Sequence, residues 1–177
     1  FRILAANAEL CEEKGKIAKK FGIHITNSNA FAKEYRAAAE KVLGSSGTFH
    51  VIAVPPNSPA GAAGIQEGDV LLSANGAPLP SGETALKELM SQMADFANKG
   101  ETVVFRVRRK GVEHDAPATP AKVCDYAYGI AQKSEVNAFA DGKSVQITSG
   151  MMRFAGTDEE LATVVGHELA HNLMGHI

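Results

Sequence analysis

Residues 58–76 read SPAGAAGIQEGDVLLSANG, and this stretch decides the fold of the middle of the chain. Its order is a short helical turn, a Gly-Asp turn at residues 68–69, an apolar strand and an Asn-Gly turn at residues 75–76. Upstream, residues 48–54 are largely apolar and β-branched or aromatic, and a strand there must stop at Pro55 because proline cannot donate to a sheet ladder. The stretch and its approach therefore predict short strands joined by tight turns.

The residues that follow complete the same unit. Leucines and methionines recur at helical spacing, which predicts a helix with one apolar face, and residues 102–107 predict a further strand. The helical positions are Leu86, Leu89, Met90 and Met93. Residues 48–110 are thus expected to be a compact β-rich unit with one proper helix.

The segments on either side of this unit give weaker patterns. Residues 1–20 are expected to be helical, and the charged, proline-containing residues 113–120 are expected to be a linker.

Composition and charge limit the classes of partner. The chain has 177 residues, of which 45% are apolar, and its 18 Lys and Arg against 20 Asp and Glu give a net charge of −2. This balance favours neither nucleic acid nor an anionic membrane surface as a partner. The basic cluster Arg106, Arg108, Arg109 and Lys110 alternates with Val107 in part, as on the solvated face of a strand.

No segment reaches the roughly 18 to 20 consecutive apolar residues that a membrane helix needs. The first residue is Phe1 rather than Met, so we expect a processed or cut polypeptide whose targeting segment is no longer present.

The last predicted helix, opened by Asp158, contains Gly166-His167-Glu168-Leu169-Ala170-His171, a His-Glu-x-x-His motif. Histidines four apart lie one turn apart on one helix face, so both can bind a single Zn²⁺ ion. Glu168 follows the first ligand and can act as the general base on a zinc-activated water that attacks a peptide carbonyl. The alternative is an ordinary amphipathic helix that holds two histidines by chance.

Two ligands are one fewer than a catalytic zinc site usually takes from the protein. His176 lies five residues after His171, whereas the metzincin pattern places a Gly three and a His six residues after the second histidine. Those positions are Met174 and Ile177. His176 is therefore a poor candidate, and a third ligand is expected elsewhere in the protein.

The two cysteines, Cys11 and Cys124, match no Cys-x-x-Cys metal or redox pair. Their spacing alone leaves two readings open, namely two buried free thiols in a reducing compartment or one disulfide in an oxidising one.

Four segments closely resemble the HtpX-like and CAAX-prenyl-protease-like family of zinc metallopeptidases: residues 136–142 (VNAFADG), 147–151 (ITSGM), 158–162 (DEELA) and 166–171 (GHELAH). The match covers about residues 123–177. The resemblance implies His167 and His171 as ligands, Glu168 as the catalytic base, and a third ligand, a Glu, on a helix beyond Ile177. It also implies a β-hairpin beside the cleft whose edge strand aligns the substrate by backbone pairing. The implied substrate-binding residues are Asn137, Ala138, Phe139 and Ala140.

The ordered set Ser58-Pro59-Ala60, Ala63-Gly64-Ile65, Gly68-Asp69 and Asn75-Gly76 resembles a PDZ domain of the bacterial protease-associated kind. Such domains bind an extended peptide between a strand and a helix. We expect this groove between the strand over residues 48–52 and the helix that follows. Its predicted residues are Thr48, Phe49, His50, Val51, Ile52, Leu86, Leu89 and Met90. The alternative is a domain kept for packing or dimerisation.

Together these resemblances imply an α+β protein in which a partial zincin-type metallopeptidase domain, made of helices and a β-hairpin, is interrupted by a PDZ-like β-rich domain. The implied boundaries are 1–26 and 117–177 for the peptidase and 27–116 for the PDZ-like domain. The two cysteines then flank the insertion, which favours a disulfide and an extracytoplasmic, bacterial periplasmic setting, membrane-associated if the removed N-terminal residues carry an anchor.

Two functions follow as hypotheses. The first is a zinc-dependent endopeptidase that cleaves protein or peptide substrates, with the PDZ-like domain binding or gating them; the fragment itself is expected to be inactive because it lacks a ligand. The second is a peptide-binding or scaffold module in which the zinc helix is structural or vestigial.

Overall fold

The computed structural model describes residues 1–44 and 47–176. Contacts divide the chain into a first unit, made of residues 1–2 and 19–121, and a second unit, made of residues 3–18 and those from 122 onward. The second unit is therefore built from two stretches of chain that the first unit separates. None of the helices in the described residues is long and apolar enough to cross a membrane.

The elements follow one another as α1 (Arg2–Ala6), α2 (Ala8–Glu13), β1 (Ile17–Lys20), β2 (His24–Thr26), a 3₁₀ turn (Ser28–Ala30), α3 (Lys33–Leu43), β3 (Phe49–Ala53), α4 (Pro59–Ala62), β4 (Val70–Ala74), β5 (Ala77–Pro78), α5 (Ala85–Lys99), β6 (Val103–Arg109), β7 (Val112–Ala118), β8 (Ala121–Cys124), β9 (Ala127–Ala131), β10 (Ala138–Ala140), β11 (Ser144–Thr148), α6 (Ser149–Phe154) and α7 (Asp158–Met174). This mixture of helices and mainly antiparallel sheets confirms the predicted α+β class.

An antiparallel sheet with the strand order β2-β3-β4-β6-β7 forms the frame of the first unit, and β5 pairs with β4 beside it. Helix α5 packs on one face of this sheet. It buries a stripe at four-residue spacing and ends at Gly100, which adopts the left-handed conformation that closes helices. The buried stripe is Ala85, Leu89, Met93 and Ala97, and it joins one core with Phe49, Val51 and Phe105.

Two predictions about the flanking segments are wrong. Residues 1–20 are not one helix, because α2 ends at Glu13 and β1 follows and pairs with β8. The expected linker over residues 113–120 is largely strand β7, which pairs with β6 along its whole length. Its Pro117 is tolerated because β7 is the last strand of the sheet and need not donate on its outer side.

The second unit contains a three-stranded sheet with the order β10-β11-β9. The hairpin that the resemblance implied is present, with its turn at residues 141–142, Ala138 opposite Ile147 and Ala140 opposite Val145. Asp141 closes the turn, since its carboxylate accepts from the Lys143 and Ser144 backbone N–H groups, and these bonds lower its pKa. Cys11 in α2 and Cys124 in β8 form a disulfide, and both are fully buried.

Candidate functional sites

Helix α7 is well defined at both ends. The Thr157 hydroxyl accepts from the Glu160 N–H, the Glu160 carboxylate accepts from the Gly156 N–H, and three acidic residues occupy the first turn. At the other end, Gly175 is left-handed and the N–H of the next residue, His176, donates to the His171 carbonyl. The sequence therefore fixes the extent of the helix that carries the His-Glu-x-x-His motif.

One face of α7 is buried and the histidines lie on another. Val165, Leu169 and Asn172, at helical spacing, are the buried residues of the helix. His167 is exposed and His171 half-buried, and their Nε2 atoms are 3.1 Å apart. The helix is thus anchored by its buried face while both imidazoles remain accessible.

The two imidazoles fit the geometry that zinc requires of a pair of ligands. Two nitrogens at the usual Zn–N distance in a tetrahedral site would lie about 3.3 Å apart, close to the separation of the His167 and His171 nitrogens. Within residues 1–44 and 47–176, no three His, Cys, Asp or Glu side chains are arranged to hold one metal ion. Among these residues the His167–His171 pair is therefore a two-ligand half-site.

Glu168 is half-buried and follows the first histidine directly. Successive residues are rotated by about 100° around a helix, so its carboxylate leaves the helix in a different direction from both imidazoles. This separation suits a base that acts beside a metal without being one of its ligands.

His176 lies just beyond the helix. Its ring centroid is 5.8 Å from that of His171, and its N–H donates to the His171 carbonyl at 3.0 Å. His176 therefore lies near the His167–His171 pair, but it does not form a three-residue metal group with them in the part of the chain that the structure describes.

Strand β10, predicted to align the substrate, is an end strand of its sheet. The Asn137 carbonyl accepts from the Thr148 N–H on the β11 side, so the backbone groups of Ala138 point to the open edge. Asn137 Oδ1 accepts from the Ala138 N–H at 2.9 Å. The Phe139 side chain is 37% exposed, and the Lys133 ammonium lies 5.7 Å from its ring centroid. The edge is thus available for strand pairing once the Asn137 side chain moves aside.

Asn172 was not identified from the sequence. It is 7% exposed, it accepts from the Gly142 N–H at 2.6 Å and it donates to the Ser144 carbonyl at 3.0 Å. The sequence does carry a signal for Asn172, because an amide side chain three residues after Leu169 interrupts the apolar face of the helix. Buried amides keep hydrogen-bond partners, and here both partners belong to the β10–β11 hairpin.

The predicted strand of the peptide groove is wrong. Strand β3, over residues 49–53, is paired on one side with β2 and on the other with β4, so it has no free edge to receive a peptide. Phe49, Val51 and Leu89 are core residues, and His50 and Ile52 alternate with them onto the opposite face. Of the predicted groove residues, Leu86 is half-buried beside the core, Met90 is exposed, and Thr48 precedes the strand.

Strand β2 is one of the two end strands of this sheet, and side-chain bonds connect the segments on either side of it to α5 and its approach. The Asn29 side-chain amide donates to the Gly82 carbonyl just before α5, and the Lys19 ammonium donates to the Asn98 carbonyl near its end. Ile25 shares the core with α5, and Ile23 packs against it. Residues 21–26 (FGIHIT) alternate in a way that indicates a short strand, but such a pattern does not predict the order of strands within a sheet.

Comparison with known proteins identifies the larger part of the chain. Residues 21–119, more than half of its length, match the PDZ domain family. The chain belongs to this family. Residues 105–177 match peptidase family M48, which confirms the predicted combination of a peptidase segment with a PDZ domain. No curated protein matches the chain.

Similar solved structures include the HtrA3 PDZ domain bound to a phage-derived ligand, with 23% identity over 60% of this chain and 89% of that one and a TM-score of 0.45. The HtrA-type protease AlgW with a decapeptide has 22% identity over 60% of this chain and 30% of that one, with a TM-score of 0.45. A serine endoprotease from Yersinia pestis has 26% identity over 67% and 36%, with a TM-score of 0.40. The chain spans about a third of the length of these two proteases.

Proposed function

We propose that the chain is part of a zinc-dependent endopeptidase that acts on protein or peptide substrates. The observation that carries this proposal is the 3.1 Å approach of the His167 and His171 Nε2 atoms on a helix whose other face is anchored in the core. The match to peptidase family M48 supports the same reaction class.

His167 and His171 would hold the zinc ion, together with a third ligand outside the described residues. When bound, zinc would supply a Lewis acid that polarises the scissile carbonyl and lowers the pKa of water. Glu168 would take the proton from the attacking water and deliver it to the leaving amine. Glu168 is suited to this role because it lies next to a ligand on the same rigid helix while its carboxylate stays outside the imidazole pair.

Strand β10 would align the substrate. An extended peptide that pairs with its open edge would exchange hydrogen bonds with the Ala138 backbone, in place of the internal bond from the Asn137 side chain. The exposed ring of Phe139 offers an apolar contact beside that edge.

The PDZ domain would bind an extended peptide between β2 and α5 and so present or regulate substrates. The free edge of β2 and the partly exposed side chains of Leu86 and Met90 on α5 support this location. It replaces the β3 groove that the sequence had suggested.

The buried disulfide supports an extracytoplasmic setting, such as the bacterial periplasm, because disulfides persist in oxidising compartments.

The deciding experiment compares Glu168→Gln with Glu159→Gln in the full-length protein, using a labelled unfolded protein such as fluorescein-casein as the substrate. Glu159 lies in the first turn of the same helix and serves as the matched control. We expect Glu168→Gln to abolish cleavage while zinc measured by atomic emission stays at one per chain, and Glu159→Gln to cleave like the parent.

Cleavage by Glu168→Gln at the parental rate would overturn the mechanism. A full-length protein that contains no zinc, and whose peptide binding ignores chelators, would instead identify a peptide-binding or scaffold module. For the chain of 177 residues alone we expect weak zinc binding and no cleavage, because a two-ligand site loses much of its affinity.

A further inference from the structure

The side chain of Asn172 joins the zinc helix to the hairpin that carries the predicted substrate strand. Its amide oxygen accepts from the Gly142 N–H at 2.6 Å and its amide nitrogen donates to the Ser144 carbonyl at 3.0 Å. One partner is a backbone atom of the turn between β10 and β11, and the other belongs to the first residue of β11. A single buried side chain thus spans the two elements that the proposed reaction must hold together.

The turn itself is held rigidly enough to serve as an anchor. Asp141 accepts two backbone N–H bonds and one bond from the Ser144 hydroxyl, and that hydroxyl in turn accepts from the Gln146 side chain at 3.1 Å. The Gly142 N–H and the Ser144 carbonyl are therefore fixed in direction before Asn172 meets them. A two-point contact with fixed partners restrains both rotation and sliding of the helix.

Asn172 follows His171 directly, so any rotation of the helix at this point turns the metal-binding face with it. The other buried residues of α7, Val165 and Leu169, are apolar, and apolar contacts do not specify a rotation as directional hydrogen bonds do. Misplacement of reacting groups by about 1 Å can cost about 10²-fold in rate, so the setting of this helix matters to the proposed chemistry.

We propose that Asn172 is a positioning residue. It fixes the rotation and position of α7, and with them those of His167, Glu168 and His171, relative to the β10 edge strand. This inference rests on the proposed function for its catalytic consequence. The clamp itself is a property of the fold that can be measured without activity.

The test uses three variants of the full-length protein. Asn172→Ala removes both bonds. Asn172→Asp keeps an acceptor for the Gly142 N–H but cannot donate to the Ser144 carbonyl. Val165→Ala removes a buried side chain from the same face of α7 without touching the turn, and it controls for a loss of stability alone.

The first measurement is amide hydrogen exchange of Gly142, with and without zinc. We expect the exchange rate of the Gly142 amide to rise at least about tenfold in Asn172→Ala and to rise less in Asn172→Asp. In Val165→Ala the rate should stay near that of the parent. Unchanged Gly142 exchange in Asn172→Ala overturns the clamp, whatever the protein is found to catalyse.

The second measurement is cleavage of fluorescein-casein beside zinc affinity. We expect kcat/KM of Asn172→Ala to fall at least about tenfold, with zinc affinity within about twofold of the parent because both described ligands stay on one helix. An equal fall in Val165→Ala would show a merely structural role and overturn the positioning. A parent that neither holds zinc nor cleaves would refute the proposed function, while the exchange result would still decide the clamp.

Discussion

The carboxylate of Asp69 is fully buried and forms a two-point ion pair with Arg109, whose Nε lies 2.7 Å from Oδ1 and whose Nη2 lies 2.7 Å from Oδ2. Asp69 also accepts from the Gln66 N–H, and Arg109 also donates to the Gly64 carbonyl. This pair ties the Gly-Asp turn of the PDZ domain to the end of β6. The Gly68-Asp69 turn is thus stabilised by Arg109, forty positions away in the sequence.

Removing Arg109 should destabilise the first unit strongly, because Arg109→Met leaves a buried carboxylate without its counter-ion. We expect a loss of about 3–5 kcal/mol in the free energy of unfolding, measured by urea denaturation. The matched control is Arg106→Met, whose guanidinium is 47% exposed in its pairs with Glu113 and Asp115. Exposed pairs contribute about 0–1 kcal/mol, so similar losses in the two variants would contradict this account.

The same pair predicts a pH dependence. Burial alone would raise the pKa of Asp69, but the hydrogen bonds from Arg109 and Gln66 outweigh it, and the pKa is lowered. Because the pKa of Asp69 is lower in the folded protein, its ionised carboxylate stabilises the fold at pH values above the unfolded pKa near 4. This stabilisation is lost as the pH falls through the folded pKa.

In Arg109→Met the sign should reverse, because burial, the largest influence on the Asp69 pKa, is then opposed only by the Gln66 N–H bond and the charge of His114. Its folded pKa should lie above the unfolded value, so the variant should regain stability as pH falls from 7 towards 4. Urea denaturation across this pH range should show that the difference between the free energies of unfolding of the parent and the variant becomes smaller as the pH falls. A constant difference would mean that Asp69 does not titrate as described.

Helix α7 and the hairpin could be predicted because their signals are local. The His-Glu-x-x-His motif and the acidic first turn that begins at Asp158 lie within one helix, and Asp141-Gly142 defines a turn between two short apolar runs. Each follows from residues within a few positions of one another, which is the range over which patterns in a sequence are informative.

The features that could not be predicted depend on distant pairings. The resemblance to a PDZ domain placed the peptide groove at strand β3, but its neighbours β2 and β4 pair with it on both sides. Arg109 looked like part of a solvated basic cluster, because nothing in the sequence places Asp69 beside it. Residues 113–120 looked like a linker because of Pro117, since the sequence does not tell an end strand from a central one.

The buried disulfide should contribute measurably to the stability of the second unit. It links residues 113 positions apart, and for a fully unfolded loop of that length the entropic contribution would be about 4–5 kcal/mol. Because the PDZ domain can stay folded within that loop and shorten it, we expect a smaller loss of about 2–3 kcal/mol in the paired Cys11→Ser and Cys124→Ser variant. Thermal unfolding measures the loss, and two free thiols in the unreduced parent by mass spectrometry would contradict the bond.

The location of the peptide groove can be tested with two exposed side chains of similar size. Met90 on α5 is 40% exposed beside the proposed β2 groove, and Ile52 on β3 is 46% exposed on the opposite face of the sheet. We expect Met90→Lys to weaken binding of a fluorescent peptide with a free apolar carboxyl terminus by about tenfold, and Ile52→Lys to leave it unchanged. The reverse result would restore the β3 location.

The ligand assignment on α7 separates His171 from its neighbour His176. The His171 and His167 Nε2 atoms lie 3.1 Å apart, a spacing that one zinc ion can bridge. The His176 ring centroid is farther from that of His171, at 5.8 Å, than the His167 centroid is, at 4.7 Å. We therefore expect His171→Ala to lower the zinc affinity of the full-length protein at least about 10²-fold, and His176→Ala to change it less than about threefold. Competition with a chromogenic chelator measures both. If His176→Ala loses zinc as completely as His171→Ala, His176 is the missing third ligand, and the two-ligand description of this half-site is wrong.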